Sequence, residues 1–86
     1  MFAPDGGGMG KEERKAQVLV LLDESDLALT PYVLFRNLKM RGATFERRTL
    51  GNYLGELIEE GRIEKLDVDG DPLYQITDAG RDSLLE

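Results

Sequence analysis

The chain has 86 residues, with 17 Asp plus Glu against 11 Lys plus Arg, a formal charge of −6 and a pI near 4.6. A chain of this length buries only about 60–65% of its unfolded surface, which leaves room for one thin core and excludes large catalytic scaffolds. It contains no Cys and no His, so disulfides, thiolate metal sites, cysteine nucleophiles and the usual general base are absent, and an enzyme is not expected.

The longest apolar run, Val18 to Leu22, is five residues, against the roughly 20 needed to cross a bilayer. No basic segment followed by an apolar stretch opens the chain, so neither membrane insertion nor export is expected and the reading is cytoplasmic. Residues 1–10 hold four of the ten glycines and one proline without apolar spacing, which reads as a disordered tail preceding a single domain over 11–86. Gly10-Lys11 is not a phosphate-binding loop, because that motif wants Gly where Asp5 stands and Ser or Thr where Glu12 stands.

A charged first turn from Lys11 leads into apolar residues to about Asp23, a first helix. Ala16, Val18, Leu19, Val20 and Leu22 spread over one broad side, while Leu21 points away, toward a second packing face or a subunit contact. Leu27-Ala28-Leu29 is a short extended link. Thr30-Pro31 is a start signal, the hydroxyl serving orphan amides and Pro favoured at the first helical position. The second helix ends at Gly42, with Leu34, Phe35 and Leu38 inward and Arg36 and Lys39 opposite. Arg41 to Ala43 form a tight connection and Thr44 is the expected next N-cap, so the pair suggests a helix-turn-helix.

The third helix is expected from about Phe45 to Glu60 with Gly61 as its cap. Leu50, Leu54, Leu57 and Ile58 form its inward stripe. With Leu50 at 0°, Arg48 falls near ~160°, Asn52 near ~200°, Phe45 near ~220° and Thr49 near ~260°, residue types suited to reading nucleic acid. Gly51 and Gly55 each weaken the helix by about 1 kcal/mol relative to Ala, which suggests close approach of a neighbouring helix or a nucleic-acid backbone. Arg62 to Val68 and Leu73 to Ile76 read as two strands around Asp69-Gly70-Asp71-Pro72, an acidic hairpin tip. Thr77 then caps a short helix from Asp78 to Leu85.

The placement of charge reverses the meaning of the net value. Between Thr30 and Gly55 five basic side chains face one acidic one, a net of +4, and the remaining sixty residues carry −10. The basic cluster coincides with the one motif that needs it. Asp67, Asp69, Asp71 and Asp78 imitate calcium-loop spacing, but Pro72 stands where that loop needs Gly and the flanks are strands. No cofactor, metal or small-molecule ligand is inferred.

The order helix, helix, turn, helix, hairpin, helix is that of a winged helix. Tyr53-Leu54-Gly55-Glu56-Leu57-Ile58-Glu59-Glu60-Gly61-Arg62-Ile63-Glu64 resembles the recognition-helix end of prokaryotic winged-helix repressors. Tyr74-Gln75-Ile76-Thr77-Asp78-Ala79-Gly80-Arg81 resembles their strand-to-helix exit. With its acidic composition, the chain looks most like small haloarchaeal phage-repressor-like winged-helix proteins. The resemblance covers roughly residues 14–86 and implies an α+β fold: a winged helix-turn-helix with a three-helix core, a two-stranded wing and a short C-terminal helix.

It further implies a repressor that binds double-stranded DNA as a homodimer, with the third helix in the major groove. Arg48, Thr49 and Asn52 would face base edges. Arg36, Lys39, Arg41, Thr44, Arg47 and Tyr53 would lie on the flanks or reach phosphates. The sequence departs from DNA-contacting wings at the tip, where Asp69 and Asp71 stand in place of Lys or Arg. The alternative is a winged helix used as a protein-interaction module in a transcription complex. A salt-rich cell would reconcile the acidic body with DNA, because screening is short there.

Overall fold

The computed structural model describes residues 10–85, so the expected tail lies outside the described residues apart from Gly10. The elements are α1 (Lys11–Ser25), α2 (Pro31–Met40), α3 (Arg47–Glu59), β1 (Ile63–Val68), β2 (Asp71–Ile76) and α4 (Asp78–Leu84). The strands pair antiparallel from Ile63 opposite Ile76 to Val68 opposite Asp71, around a turn in which Asp69 and Gly70 both have positive φ. Leu29, in the link before α2, exchanges two backbone hydrogen bonds with Tyr74 (2.9 and 2.8 Å) and ties that link to the free edge of β2.

Local chemistry fixes most boundaries. Thr30 Oγ1 accepts from the Val33 N–H (3.2 Å) and Pro31 opens α2. α2 and α3 stop in the same way: Gly42 and Gly61 take φ of +96° and +76°. Those left-handed turns let the Ala43 N–H reach back to Leu38 O and the Arg62 N–H to Leu57 O. At the start of α4, Thr77 Oγ1 accepts from the Gly80 N–H and donates to Gly61 O. Gly80 packs so closely that a Cβ there would lie 2.1 Å from Arg62 O.

The core gathers Val18, Leu19 and Leu22 of α1, Leu34 and Leu38 of α2, Leu50, Leu54 and Leu57 of α3, and Ile63 and Ile76 of the hairpin. Leu21 also belongs to it, at 5% exposure. Of the two readings of Leu21, the structure gives the second packing face: α2, α3, α4 and β2 all pack on α1, and Leu21 is buried with the core.

The start of α3 is likewise corrected. Glu46, not Thr44, is the N-cap, and it makes no side-chain cap bond. Phe45 lies outside the helix and is buried in edge-to-face contact with Tyr53, ring centroids 5.4 Å apart. The helical angle assigned to Phe45 therefore does not apply, and burial of its ring outweighs the capping preference of Thr44.

Candidate nucleic-acid interface

α2 and α3 pack against each other across the Arg41–Glu46 connection, and their outer surfaces carry the basic cluster. Arg36 is exposed one turn beyond Tyr32, donates to its hydroxyl (3.3 Å) and lies 5.7 Å from its ring centre. Lys39 sits over the Phe35 ring at 5.6 Å. Arg47, Arg48 and Asn52 are exposed on α3, and Thr49 is half-buried. The aromatic rings hold the α2 cations without neutralising them.

Ion pairing divides the basic side chains by location. Lys11, Lys15, Arg41, Arg62 and Arg81 each have a carboxylate within 4 Å. Among the described residues, Arg36, Lys39, Arg47 and Arg48 have none, and neither do Arg14 on α1, which lies against Tyr53 and Phe45, and Lys65 on β1. The backbone adds to the asymmetry. Arg47 and Arg48 occupy the first turn of α3, the positive end of its dipole, with no acidic residue there and no side-chain cap. Two cations at that end oppose the dipole and leave first-turn N–H groups directed at whatever approaches.

Two expected contact residues lie elsewhere. Tyr53 is 6% exposed, and its hydroxyl accepts from Arg14 (3.3 Å), whose guanidinium also lies 5.9 Å from the Phe45 ring centre. It is a core residue of the α1–α3 contact, not a flank of the outer face. Arg41 pairs with Glu24 and turns toward α1. Thr44 is exposed in the connection. Gly51 and Gly55 have nothing within 4 Å of an added Cβ, so no neighbouring helix of this chain accounts for them. At the hairpin tip Asp67, Asp69 and Asp71 are all exposed.

The orientation of α3 rests on an ionic lock that sequence reasoning missed. Lys15 is 1% exposed, with Nζ 2.6 Å from Glu60, 3.2 Å from Glu56 and 3.6 Å from Glu12. Lys11 adds a second bond to Glu56 at 2.8 Å. Burial disfavours the Lys15 charge, but hydrogen bonds to Glu60 and Glu56 outweigh it and hold its pKa above 10.5. Lys11 foremost, then Lys15, lowers the Glu56 carboxyl below 4.5 against its partial desolvation. The legible signal was two i, i+4 pairs, Lys11/Lys15 and Glu56/Glu60, which match once the two helices are known to pack. Tyr32, four residues before Arg36, was missed for want of the same spacing argument.

No protein-family model matches the chain, and no curated protein does. Solved structures do. The ferric uptake regulator from Francisella tularensis, determined with iron, aligns at a TM-score of 0.71 and 22% identity over 88% of this chain and 59% of its own. The structure of hsRosR-S4, determined as a complex, aligns at 0.74 and 22% identity over 92% of this chain and 67% of that one. The fold is a winged helix. The chain spans less than two thirds of the ferric uptake regulator. Within the winged helix, α2 and α3 form the helix-turn-helix, β1 and β2 the wing, and the unpaired cations fall on the former. Among the described residues no group of three or more Asp or Glu is placed to hold a metal ion, and no helix is long and apolar enough to cross a membrane.

Proposed function

We propose that this winged helix is a sequence-specific, double-stranded-DNA-binding transcriptional regulator, a repressor that acts as a homodimer, of the small haloarchaeal phage-repressor-like kind. The N-terminal half of α3 enters the major groove. Arg48 and Asn52 read base edges, by two hydrogen bonds each to guanine and adenine, with Thr49 beside them. Arg36, Lys39 and Arg47 meet phosphates, and Thr44 borders them in the connection.

One observation carries this reading: the four exposed cations of α2 and α3 lack carboxylate partners, whereas Lys11, Lys15, Arg62 and Arg81 are neutralised within the chain and Arg14 is turned inward onto Tyr53 and Phe45, which leaves Lys65 on the wing as the one other unpaired exposed cation among the described residues. Unpaired guanidinium groups at the positive end of a helix favour an external polyanion. The two glycines on the open side of α3 supply room for a groove wall. A protein-interaction module draws support from the −10 remainder and the acidic wing tip, which favour a basic protein partner over DNA.

Selection of bound sequences from random duplex DNA at several salt concentrations tests the reading. The expected result is a defined motif whose recovery falls as salt rises. Arg48→Ala then costs about 1–3 kcal/mol on the selected site and relaxes one base position. Recovery of no motif at any salt concentration overturns sequence-specific binding, and an unaltered motif with Arg48→Ala overturns the assignment of α3.

A further inference from the structure

The hairpin turns an apolar face toward solvent. Its register places the cross-strand pairs Glu64/Gln75, Leu66/Leu73 and Val68/Asp71 on one side, and Ile63/Ile76 and Lys65/Tyr74 on the other. The second side reaches the core through Ile63, Ile76 and Tyr74. A hairpin packed on one face ordinarily keeps polar residues on the opposite one. Here Leu66 and Leu73 are half-buried outside the core, and Val68 is 49% exposed. At its base this face runs into a cavity of about 490 Å³ between the end of α1, the start of α4 and the hairpin, which Glu64 and Gln75 also line. Leu27, 63% exposed, and Ala79 add apolar surface there.

Carboxylates follow the same strip. Asp26, Glu64 and Asp78 line the cavity, and Asp71 stands at the far end of the wing face. Among the described residues, Glu64 and Asp71 have no cation within 4 Å. Arg81 also lines the cavity, but its guanidinium is shared among Asp26 at 3.1 Å, Asp23 at 3.2 Å and Asp78 at 3.7 Å. One positive charge cannot offset three carboxylates, so the strip is acidic from end to end.

We propose that this strip, from the cavity up the outer face of the wing, docks a segment of another protein that combines apolar residues with Lys or Arg. An apolar patch rimmed by charge marks an interaction surface, and the sign of the rim selects the occupant. DNA and anionic lipid are repelled by the carboxylates. A second copy set strip against strip brings like charges together. An occupant with cations alone leaves Leu66, Val68 and Leu73 uncovered, and a purely apolar one buries Glu64 without a partner. Cavity and wing face draw no residue from α2 or α3. Docking here is therefore additional to the DNA contact of those helices, not a substitute for it.

Selection from a displayed library of random short peptides on the full chain, without DNA, tests the surface. The Leu66→Ser, Val68→Ser double variant serves for counter-selection. Recovered peptides are expected to interleave apolar residues with Lys or Arg. One of them, labelled and titrated, should bind about tenfold or more weakly to the double variant and to Glu64→Lys with Asp71→Lys. The charge-reversed variant should gain affinity for the same peptide carrying Glu in place of each Lys or Arg, a swap that misfolding does not produce. On the wild type, amide shifts caused by the peptide should centre on residues 26–27, 64–68 and 71–75 and spare 36–39 and 47–52. Recovery of no peptide, or of basic peptides without apolar residues, overturns the assignment. So do binding indifferent to the Leu66→Ser, Val68→Ser pair and shifts centred on α2 and α3. Self-association in sedimentation that the same pair abolishes gives the face to a second copy instead, and also overturns it. A chain that takes the peptide but yields no DNA motif removes the DNA reading alone, and the converse removes this surface alone.

Discussion

Arg47 and Arg48 stand where a helix is least tolerant of positive charge. A cation in the first turn opposes the macrodipole by about 0.3–1 kcal/mol at low ionic strength, and α3 has neither an acidic first-turn residue nor a side-chain cap to offset it. Lys39, by contrast, lies in the last turn of α2, where the dipole favours it. Stability alone does not account for the arginines, whereas an approaching phosphate does. Arg47→Gln is therefore expected to stabilise the free protein by about 0.3–1 kcal/mol while weakening DNA binding and reducing the salt slope by about one. Thermal melting and a salt titration of the selected duplex check both signs. Gly51 poses the same conflict in another form. Its Cβ position is open, so Gly51→Ala should gain about 0.8–1.0 kcal/mol of helix propensity, read as a melting temperature higher by roughly 4–8 °C per kcal/mol. The added methyl sits between Arg48 and Asn52 in sequence, and the stabilised variant is expected to bind its duplex more weakly. A variant that is both more stable and an equal or better binder would show that the glycine is not there for DNA.

At the level of elements, the lock between α1 and α3 holds α3 against the core. Lys15 is enclosed by carboxylates that are themselves about a third exposed, 35% for Glu56 and 36% for Glu60. Lys15→Ala removes both the stem and the charge and should cost about 2–4 kcal/mol. Lys15→Met keeps the packing and lets the carboxylates turn to water, so its cost should stay below about 1 kcal/mol. Glu56 has a lowered folded pKa, so its contribution is full above about 4.5 and is lost as pH falls through the folded value. Lys15 has a raised one, so its contribution is full below 10.5 and is lost as pH rises through the folded value. Melting followed from pH 7 to pH 2 should show an acid limb that Glu56→Gln makes shallower.

The same pair of helices marks what was legible in the sequence. Signals contained in a few residues, Thr30-Pro31, Gly42, Gly61, Asp69-Gly70 and Thr77, located element ends correctly because their chemistry is local. Thr44 and Tyr53 were misread because their environment comes from other elements: Phe45 inserts beneath α3, and Arg14 covers Tyr53. The exposure of Arg36, Lys39, Arg47, Arg48 and Asn52 could be read from periodicity alone, but the freedom of the four cations from carboxylates could not.

Across the whole molecule, charge is divided between a helix-turn-helix of +4 and a remainder of −10, within a radius of gyration of 12.8 Å. At about 0.1 M salt the Debye length is about 10 Å, comparable to that radius, so DNA bound as proposed would still feel the acidic body. Three phosphate contacts per copy, from Arg36, Lys39 and Arg47, would release counterions with a slope of roughly −3 in log K against log salt. Repulsion by the acids is screened over the same range and opposes that fall, so the observed slope should be shallower than the contact count requires. The wing tip is the part of the acidic body that can be altered without touching the reading face, since Asp69 and Asp71 are exposed and unpaired among the described residues. Asp69→Lys with Asp71→Lys should therefore raise affinity for any duplex at low salt, steepen the slope by up to about two, and lose most of that gain near 1 M, where the Debye length is about 3 Å. The base preference of the selected site should not change, because the proposed reading assigns no base contact to the tip. A change in motif would place the wing among the reading elements, and an unchanged slope would show that the tip stands beyond the reach of the phosphates.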